Sequence, residues 1–191
     1  MKKLIRLAMG AACVCLTAGS SFAVESELEA HGLYAFGFND DDTSGDYVEN
    51  TFGGGAAFVI EPHKNIKLDL GADYFRTEHK LNSDAKYQFI PITAAFRFGS
   101  TLEGIFIYAG AGVGYSFNSY DESGISSSDI DLDDSMIYFA CGGAEFGLSE
   151  KLYIRGEFRY NWLRPELKWF GSKVDLEFDH MQMRAGIGYK F

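Results

Sequence analysis

The side chains in this 191-residue chain that could do chemistry are charged ones set inside otherwise apolar stretches. They are Lys67, Asp69, Asp73, Arg97, Glu145, Arg155, Glu157, Arg159 and Arg184. Neighbours among them are mostly an even number of positions apart, so in extended backbone they share a face. Opposite charges placed that way can pair across neighbouring strands, and pairing is what a buried charge requires. The four histidines, His31, His63, His79 and His180, are scattered. His31 sits low in the first candidate strand and His180 near the far end of the last. Most of a strand's length, at about 3.3 Å per residue, therefore separates them. No catalytic residue, metal ligand set or cofactor is expected.

Two motifs look like ligand loops and are discounted. "GAGVG", from Gly110 to Gly114, resembles part of a dinucleotide loop but lies inside a strand with no helix after it. "DDDTSGD", from Asp40 to Asp46, partly matches a calcium loop, yet Thr51 stands where a bidentate Glu is needed, and "DIDLDD" lacks the central Gly. Both acidic runs read as solvated loop charge.

The elements that position the charged face follow a period of two. In "IKLDLGADY", Ile66, Leu68, Leu70, Ala72 and Tyr74 alternate with Lys67, Asp69, Gly71 and Asp73. "LYIRGEFRYNW" repeats the pattern, with Leu152, Ile154, Phe158, Tyr160 and Trp162 opposite Arg155, Glu157, Arg159 and Asn161. The alternation predicts eight strands at roughly 28–38, 51–61, 66–76, 86–98, 105–117, 137–148, 152–163 and 178–191. Each has about the length with which a tilted strand crosses a bilayer. Short turns follow the second, fourth and sixth strands, and long polar loops follow the first, third, fifth and seventh. That asymmetry is expected of a transmembrane up-and-down barrel.

A soluble barrel around an apolar ligand would alternate too. Three features favour the inverted arrangement, with charges inside. The charged face also carries Gly53, Gly55, Gly71, Gly110, Gly112, Gly143 and Gly186, as a narrow filled interior requires. Aromatic residues, among them Tyr74, Phe98, Tyr115, Tyr138, Trp162, Tyr189 and Phe191, end the apolar face, where membrane interfaces favour them. Strands in lipid must also close on themselves to satisfy their backbone. The expected fold is thus all-β, an eight-stranded antiparallel up-and-down transmembrane β-barrel.

Counting outward from a turn at Glu150 sets Glu145 opposite Arg155, Gly143 opposite Glu157 and Cys141 opposite Arg159. Together with Lys67, Asp69, Asp73, Arg97 and Arg184, these charges are expected to form a paired network plugging the lumen. The alternative is a thin water-filled pore. "ELKWFGSKVDLEF" alternates around Gly171-Ser172 and predicts a hairpin above the membrane, with Trp169-Phe170 at its tip as a candidate contact for a partner. Val174, Leu176 and Phe178 fall out of phase with Met181 and Met183, which predicts a bulge or twist near Asp179.

The first 23 residues, "MKKLIRLAMGAACVCLTAGSSFA", have a basic start, an uncharged middle and small residues at the end, the pattern of a signal peptide cleaved after Ala23. Neither Cys13 nor Cys15 follows the leucine-small-small run of a lipobox. Residues 24–191 are then one barrel domain whose single Cys141 can form no internal disulfide. Of 17 basic and 27 acidic side chains, Lys2, Lys3 and Arg6 leave with the signal, so 14 face 27 and the formal charge is −13. Such acidity argues against nucleic acid as a partner, since phosphate binding needs a basic footprint.

The chain closes on "MRAGIGYKF", with Met181, Met183, Ala185, Ile187, Tyr189 and Phe191 on one face. This ending resembles the C-terminal signature of bacterial outer-membrane barrels, with Ile187, Tyr189 and Phe191 as the insertion signal read by the barrel-assembly machinery. "YQFIPITAAFRFG", "IYAGAGVGYSF", "LYIRGEFRYNW" and "GIGYKF" are similar to stretches of the small eight-stranded outer-membrane barrels of the OmpX and OmpA membrane-domain type. The resemblance implies a monomer in the bacterial outer membrane, in contact with its lipid and lipopolysaccharide. Its implied role is structural or in surface interaction, with any surface partner at the extracellular loops. No spacing like that of lipid A deacylases is present, and the chain carries no peptidoglycan-binding segment after Phe191, so neither enzyme activity nor a peptidoglycan tether is expected. The runner-up role is a narrow porin-like channel for small solutes, and the third is a lipid-modifying enzyme.

Overall fold

The structure, a computed structural model, describes residues 25–39, 48–79, 82–122, 130–169 and 172–191. The expected signal segment, the "DDDTSGD" run and Phe170 at the expected hairpin tip lie outside them. The strands are β1 Glu25–Asn39, β2 Thr51–His63, β3 Ile66–His79, β4 Asn82–Leu102, β5 Ile105–Glu122, β6 Ile130–Leu132, β7 Ser135–Gly147, β8 Leu152–Leu163, β9 Glu166–Trp169, β10 Ser172–Asp175 and β11 Asp179–Lys190. Eight of them close a barrel in the order β1-β11-β8-β7-β5-β4-β3-β2, every neighbour antiparallel. The other three form a small sheet, β10-β9-β6.

Alternation decides the faces as expected. Leu68, Leu70, Ile92, Phe96, Ile107, Val113, Ile154 and Phe158 stand exposed on the outer wall, while Lys67, Asp69, Arg97, Arg155 and Glu157 are buried inside. In lipid that polarity buries apolar surface and satisfies the backbone through closure.

Three expectations need correction. The third and fourth strands meet in a continued ladder to His79↔Asn82, where the sequence suggested a long polar loop. Alternation persists there, and Lys86 lies 2.9 Å from Glu78 across the pair. At the other end β4 runs on to Leu102, leaving only Glu103 and Gly104, both at positive φ (51° and 85°), to reverse the chain. Finally, no extra residue sits at Asp179 against β8. Phe178 N donates to Leu163 O, in step with His180↔Asn161. The bulge lies opposite, in β1, where the register slips between Phe36 and Asn39 and Gly37 takes φ of 64°. Phe178 differs in phase from Met181 because it points inward, into an interior that has turned apolar.

That turn divides the lumen. Leu33, Ala35, Phe38, Phe75, Tyr87, Phe89, Ile137, Leu163 and Phe178 form a buried apolar cluster in its outer half. Leu132 is fully buried in the same cluster, and Leu167 and Leu176 pack on it from the small sheet and its exit. The expected hairpin is present, with Trp169 paired to Ser172. Its link Leu176 N to Pro165 O carries pairing above β8 and β11, and its β9 edge recruits β6 from the preceding loop. The small sheet therefore covers the outer mouth.

Candidate functional site in the barrel lumen

The lower lumen is filled by interlinked ion pairs. Lys67 Nζ lies 2.9 Å from Glu27 Oε1, 2.6 Å from Glu145 Oε2 and 3.5 Å from Glu61 Oε2. Arg97 donates to Asp69 Oδ1 through Nε (3.0 Å) and Nη2 (2.6 Å), and its Nη1 reaches Glu145. Arg155 spans Glu29 (2.6 Å) and Asp69 (3.2 Å). Asp69 and Glu145 thus each hold two cations.

One layer higher, Arg184 Nη2 donates to Asp73 Oδ2 at 2.6 Å, and His31 Nε2 lies 2.7 Å from Asp73 Oδ1. The other imidazole nitrogen of His31 lies 3.3 Å from Glu29, which ties the two layers together. Arg159 Nε donates to Glu157 at 2.5 Å, and the Tyr108 hydroxyl donates to the other Glu157 oxygen at 2.8 Å. Rings flank the cations. Arg159 lies 4.1 Å from the Phe139 centroid, Arg97 4.8 Å from Tyr108, and Lys67 5.3 Å from both Phe106 and Tyr153.

Backbone without side chains makes this filling feasible. A Cβ at Gly55 would strike Asp73 and His31, and one at Gly188 would strike the Tyr153 ring. Gly112 beneath the Phe139 ring and Gly143 beneath the Tyr108 ring do the same, so these glycines mark where long neighbours cross the lumen.

Every charged residue singled out from the sequence, Lys67, Asp69, Asp73, Arg97, Glu145, Arg155, Glu157, Arg159 and Arg184, is buried inside the barrel. The register pairs Glu145↔Arg155, Gly143↔Glu157 and Cys141↔Arg159 are present. Register, however, does not set the ion pairs. Glu145 pairs with Lys67 and Arg97, and Arg155 with Glu29 and Asp69. The partners come from the next strand (Arg97 with Asp69), from two strands away (Arg97 with Glu145, Arg155 with Glu29) and from across the lumen (Arg155 with Asp69). Sequence reasoning missed Glu27, Glu29, His31, Tyr108 and Tyr153. "ESELEAHGLYAF" alternates acids with Leu28 and Ala30 in the first strand and carried a signal for the first three.

The histidines do not gather. His63 is exposed as the last residue of β2, where its Nδ1 accepts from Asn65 N, and His79 bridges to Val48 at the outer end. His31 and His180 remain apart, yet a relay connects them. Arg184 donates to Gln182 Oε1 at 2.8 Å, and Gln182 Nε2 lies 2.9 Å from His180 Nε2. His180 Nδ1 lies 2.7 Å from Phe178 O, which can only accept, so Nδ1 carries the proton and Nε2 accepts from Gln182. Among the described residues, no group of three His, Cys, Asp or Glu is arranged to hold a metal ion. The last strand exposes Ile187, Tyr189 and Phe191 on the outer wall, and Phe191 N is tied to Ser26 O at 2.9 Å.

A closed barrel with an apolar wall and a charged interior defines an integral outer-membrane β-barrel protein. The chain belongs to the outer membrane protein beta-barrel domain family, whose model matches residues 7–191. The crystal structure of OprG from Pseudomonas aeruginosa is similar with a TM-score of 0.69 and 17% identity, over 88% of this chain and 95% of that one. Outer membrane protein W of E. coli gives 0.61 and 20%, over 90% and 100%. Ail, the attachment invasion locus protein of Yersinia pestis, gives 0.59 and 17%, over 89% and 100%. At these identities the likeness is one of fold. A comparison with curated protein sequences finds no match.

Proposed function

We propose that this outer-membrane barrel is closed to solutes and serves a structural or surface-interaction role. Its lumen is sealed by paired charges below and an apolar cap above. The observation that carries this reading is the linkage of Lys67, Arg97 and Arg155 through the shared acids Asp69 and Glu145, beneath the buried Phe75, Phe89 and Phe178. An ion crossing would have to break several charge-assisted bonds and then pass a dry throat. Planar-bilayer recording of refolded protein tests it, with heat-shifted gel migration verifying the fold. Silence is expected, and discrete channel steps would overturn the seal. A narrow pore is the second reading, favoured by Arg159 Nη1 and Asn161 Nδ2, buried donors without a hydrogen-bond partner that could face a file of water.

Met1 to Ala23 acts in this proposal as the export signal. Ile187, Tyr189 and Phe191 are read by the barrel-assembly machinery, and the mature protein works as a monomer among lipid and lipopolysaccharide. The outer loops would carry the surface role. Ail is known in complex with a heparin analogue, sucrose octasulfate. The loops here contain "NDDDTSGDYVEN" and "DIDLDD", so a cationic partner fits them better than a polyanion.

A further inference from the structure

Arg159 and Asn161 stand two positions apart on the inner face of β8 and are only 3% and 1% exposed. Arg159 donates through Nε to Glu157, and its guanidinium lies 4.1 Å from the Phe139 ring centroid. Phe139 is the ladder partner of Asn161, so the guanidinium rises to the height of the Asn161 amide. Arg159 Nη1 and Asn161 Nδ2 are buried there, and neither has a hydrogen-bond partner. Such donors are costly to leave unmade, a charged one most of all.

The acceptors around them are already engaged. Glu157 takes Arg159 Nε and the Tyr108 hydroxyl, and Asp73 takes Arg184 and His31. Gln182, the β11 partner of Arg159, accepts twice from Arg184. His180, the β11 partner of Asn161, accepts from Gln182. On the other side, the inward positions level with Arg159 are Cys141 of β7 and Gly110 of β5, neither of which brings a side-chain oxygen. Two carboxylates thus serve Arg159, Arg184, His31 and Tyr108, and the layer holds more donors than acceptors. Just beyond it Ile137 and Leu163 begin the apolar cluster, so bulk water does not screen the guanidinium from that side.

A water between the two nitrogens would satisfy them but add two protons of its own to a layer whose acceptors are engaged. A ligand that only accepts adds none, and negative charge suits the unpaired edge of a guanidinium. We propose that Arg159 Nη1 and Asn161 Nδ2 bind a small monovalent anion of the halide class, such as chloride, at the boundary between the ion-paired lumen and the apolar throat. The barrel folds around this ion, which completes the upper layer of the network.

The test refolds the mature chain into vesicles in sodium chloride, sodium bromide or sodium gluconate of equal concentration and follows equilibrium urea unfolding in each. Chloride and bromide should shift the folding equilibrium about tenfold toward the folded state relative to gluconate, the effect of an anion at about ten times its Kd. Asn161→Asp sets a carboxylate of the chain beside Arg159 and should erase that difference. Lys173→Ala, on the exposed outer sheet, should keep it. Crystals of the refolded protein grown in bromide should show an anomalous peak within hydrogen-bond distance of both nitrogens. Wild-type protein indifferent to halide would overturn the site, as would an Asn161→Asp variant that passes the gel-shift check and still responds. A peak-free map, with a water at the two nitrogens, would overturn it as well. Planar-bilayer recording reports the seal separately, so failure of the anion site and failure of the closed lumen are distinguishable.

Discussion

Glu145 accepts from both Lys67 and Arg97, so the loss of one negative charge there takes a carboxylate from two buried cations at once and leaves them Glu27 and Asp69. Glu145→Gln should lower stability by about 3–5 kcal/mol, the usual cost of breaking a buried pair from one side. Equilibrium urea unfolding of vesicle-inserted protein measures it. An exposed pair gives the contrast. Lys173 lies 2.6 Å from Glu166 on the outer sheet, and that hydrogen bond holds its ammonium above the ordinary lysine range. Solvent surrounds it, so Lys173→Ala should change the urea midpoint by less than the error of the same measurement. Burial, and not the count of partners, separates the two outcomes.

Strands in this barrel depend on where glycine lets a neighbour cross. Gly188 in β11 leaves room for the Tyr153 ring of β8, so Gly188→Ala must displace a buried aromatic and should cost about 1–3 kcal/mol. Reading the urea midpoint in the same series checks this, and Gly156→Ala, which has open space around it, is the control. The end of β11 makes a different demand. Phe191 is exposed on the outer wall, its ring edge-on to Tyr189 at 5.5 Å and its backbone N–H donating to Ser26 O. Deleting Phe191 should therefore sharply reduce assembled protein in cells while leaving the stability of refolded protein nearly unchanged. Equal losses in both assays would make the residue a packing element instead of a signal.

Across the whole molecule, the proposed closed state has two unlike seals in series: an ion-paired lower lumen, and an apolar throat with β6, β9 and β10 packed on it. On that proposal either seal alone would block ions, the first because charges must be unpaired and the second because the throat is dry. Replacing residues 166–175 with a short Gly-Ser link should therefore leave bilayers silent, as should Arg97→Ala with Asp69→Ala alone. The combined variant should show channel steps. Conductance from the loop replacement alone would mean that the lower lumen is an open aqueous path.

Strand count, facing and the choice of charged residues were legible in the sequence because a period of two survives any tertiary context and lipid enforces it on the outer wall. Leu68 and Lys67 could be assigned to opposite faces without coordinates. The ladder Glu145↔Arg155 was legible too, since a short turn sets its register. The ion-pair partners were not. Which carboxylate Arg155 meets depends on how the wall curves around it, and closure brings it Glu29 from β1, two strands away, and Asp69 from β3 on the far side. The apolar upper lumen was hidden for a related reason. Phe75 and Phe178 obey the same alternation as Asp73 and His180, so pattern marks the face but not the height at which its environment turns dry. Local periodicity determined what points inward, and barrel closure alone decided what it finds there.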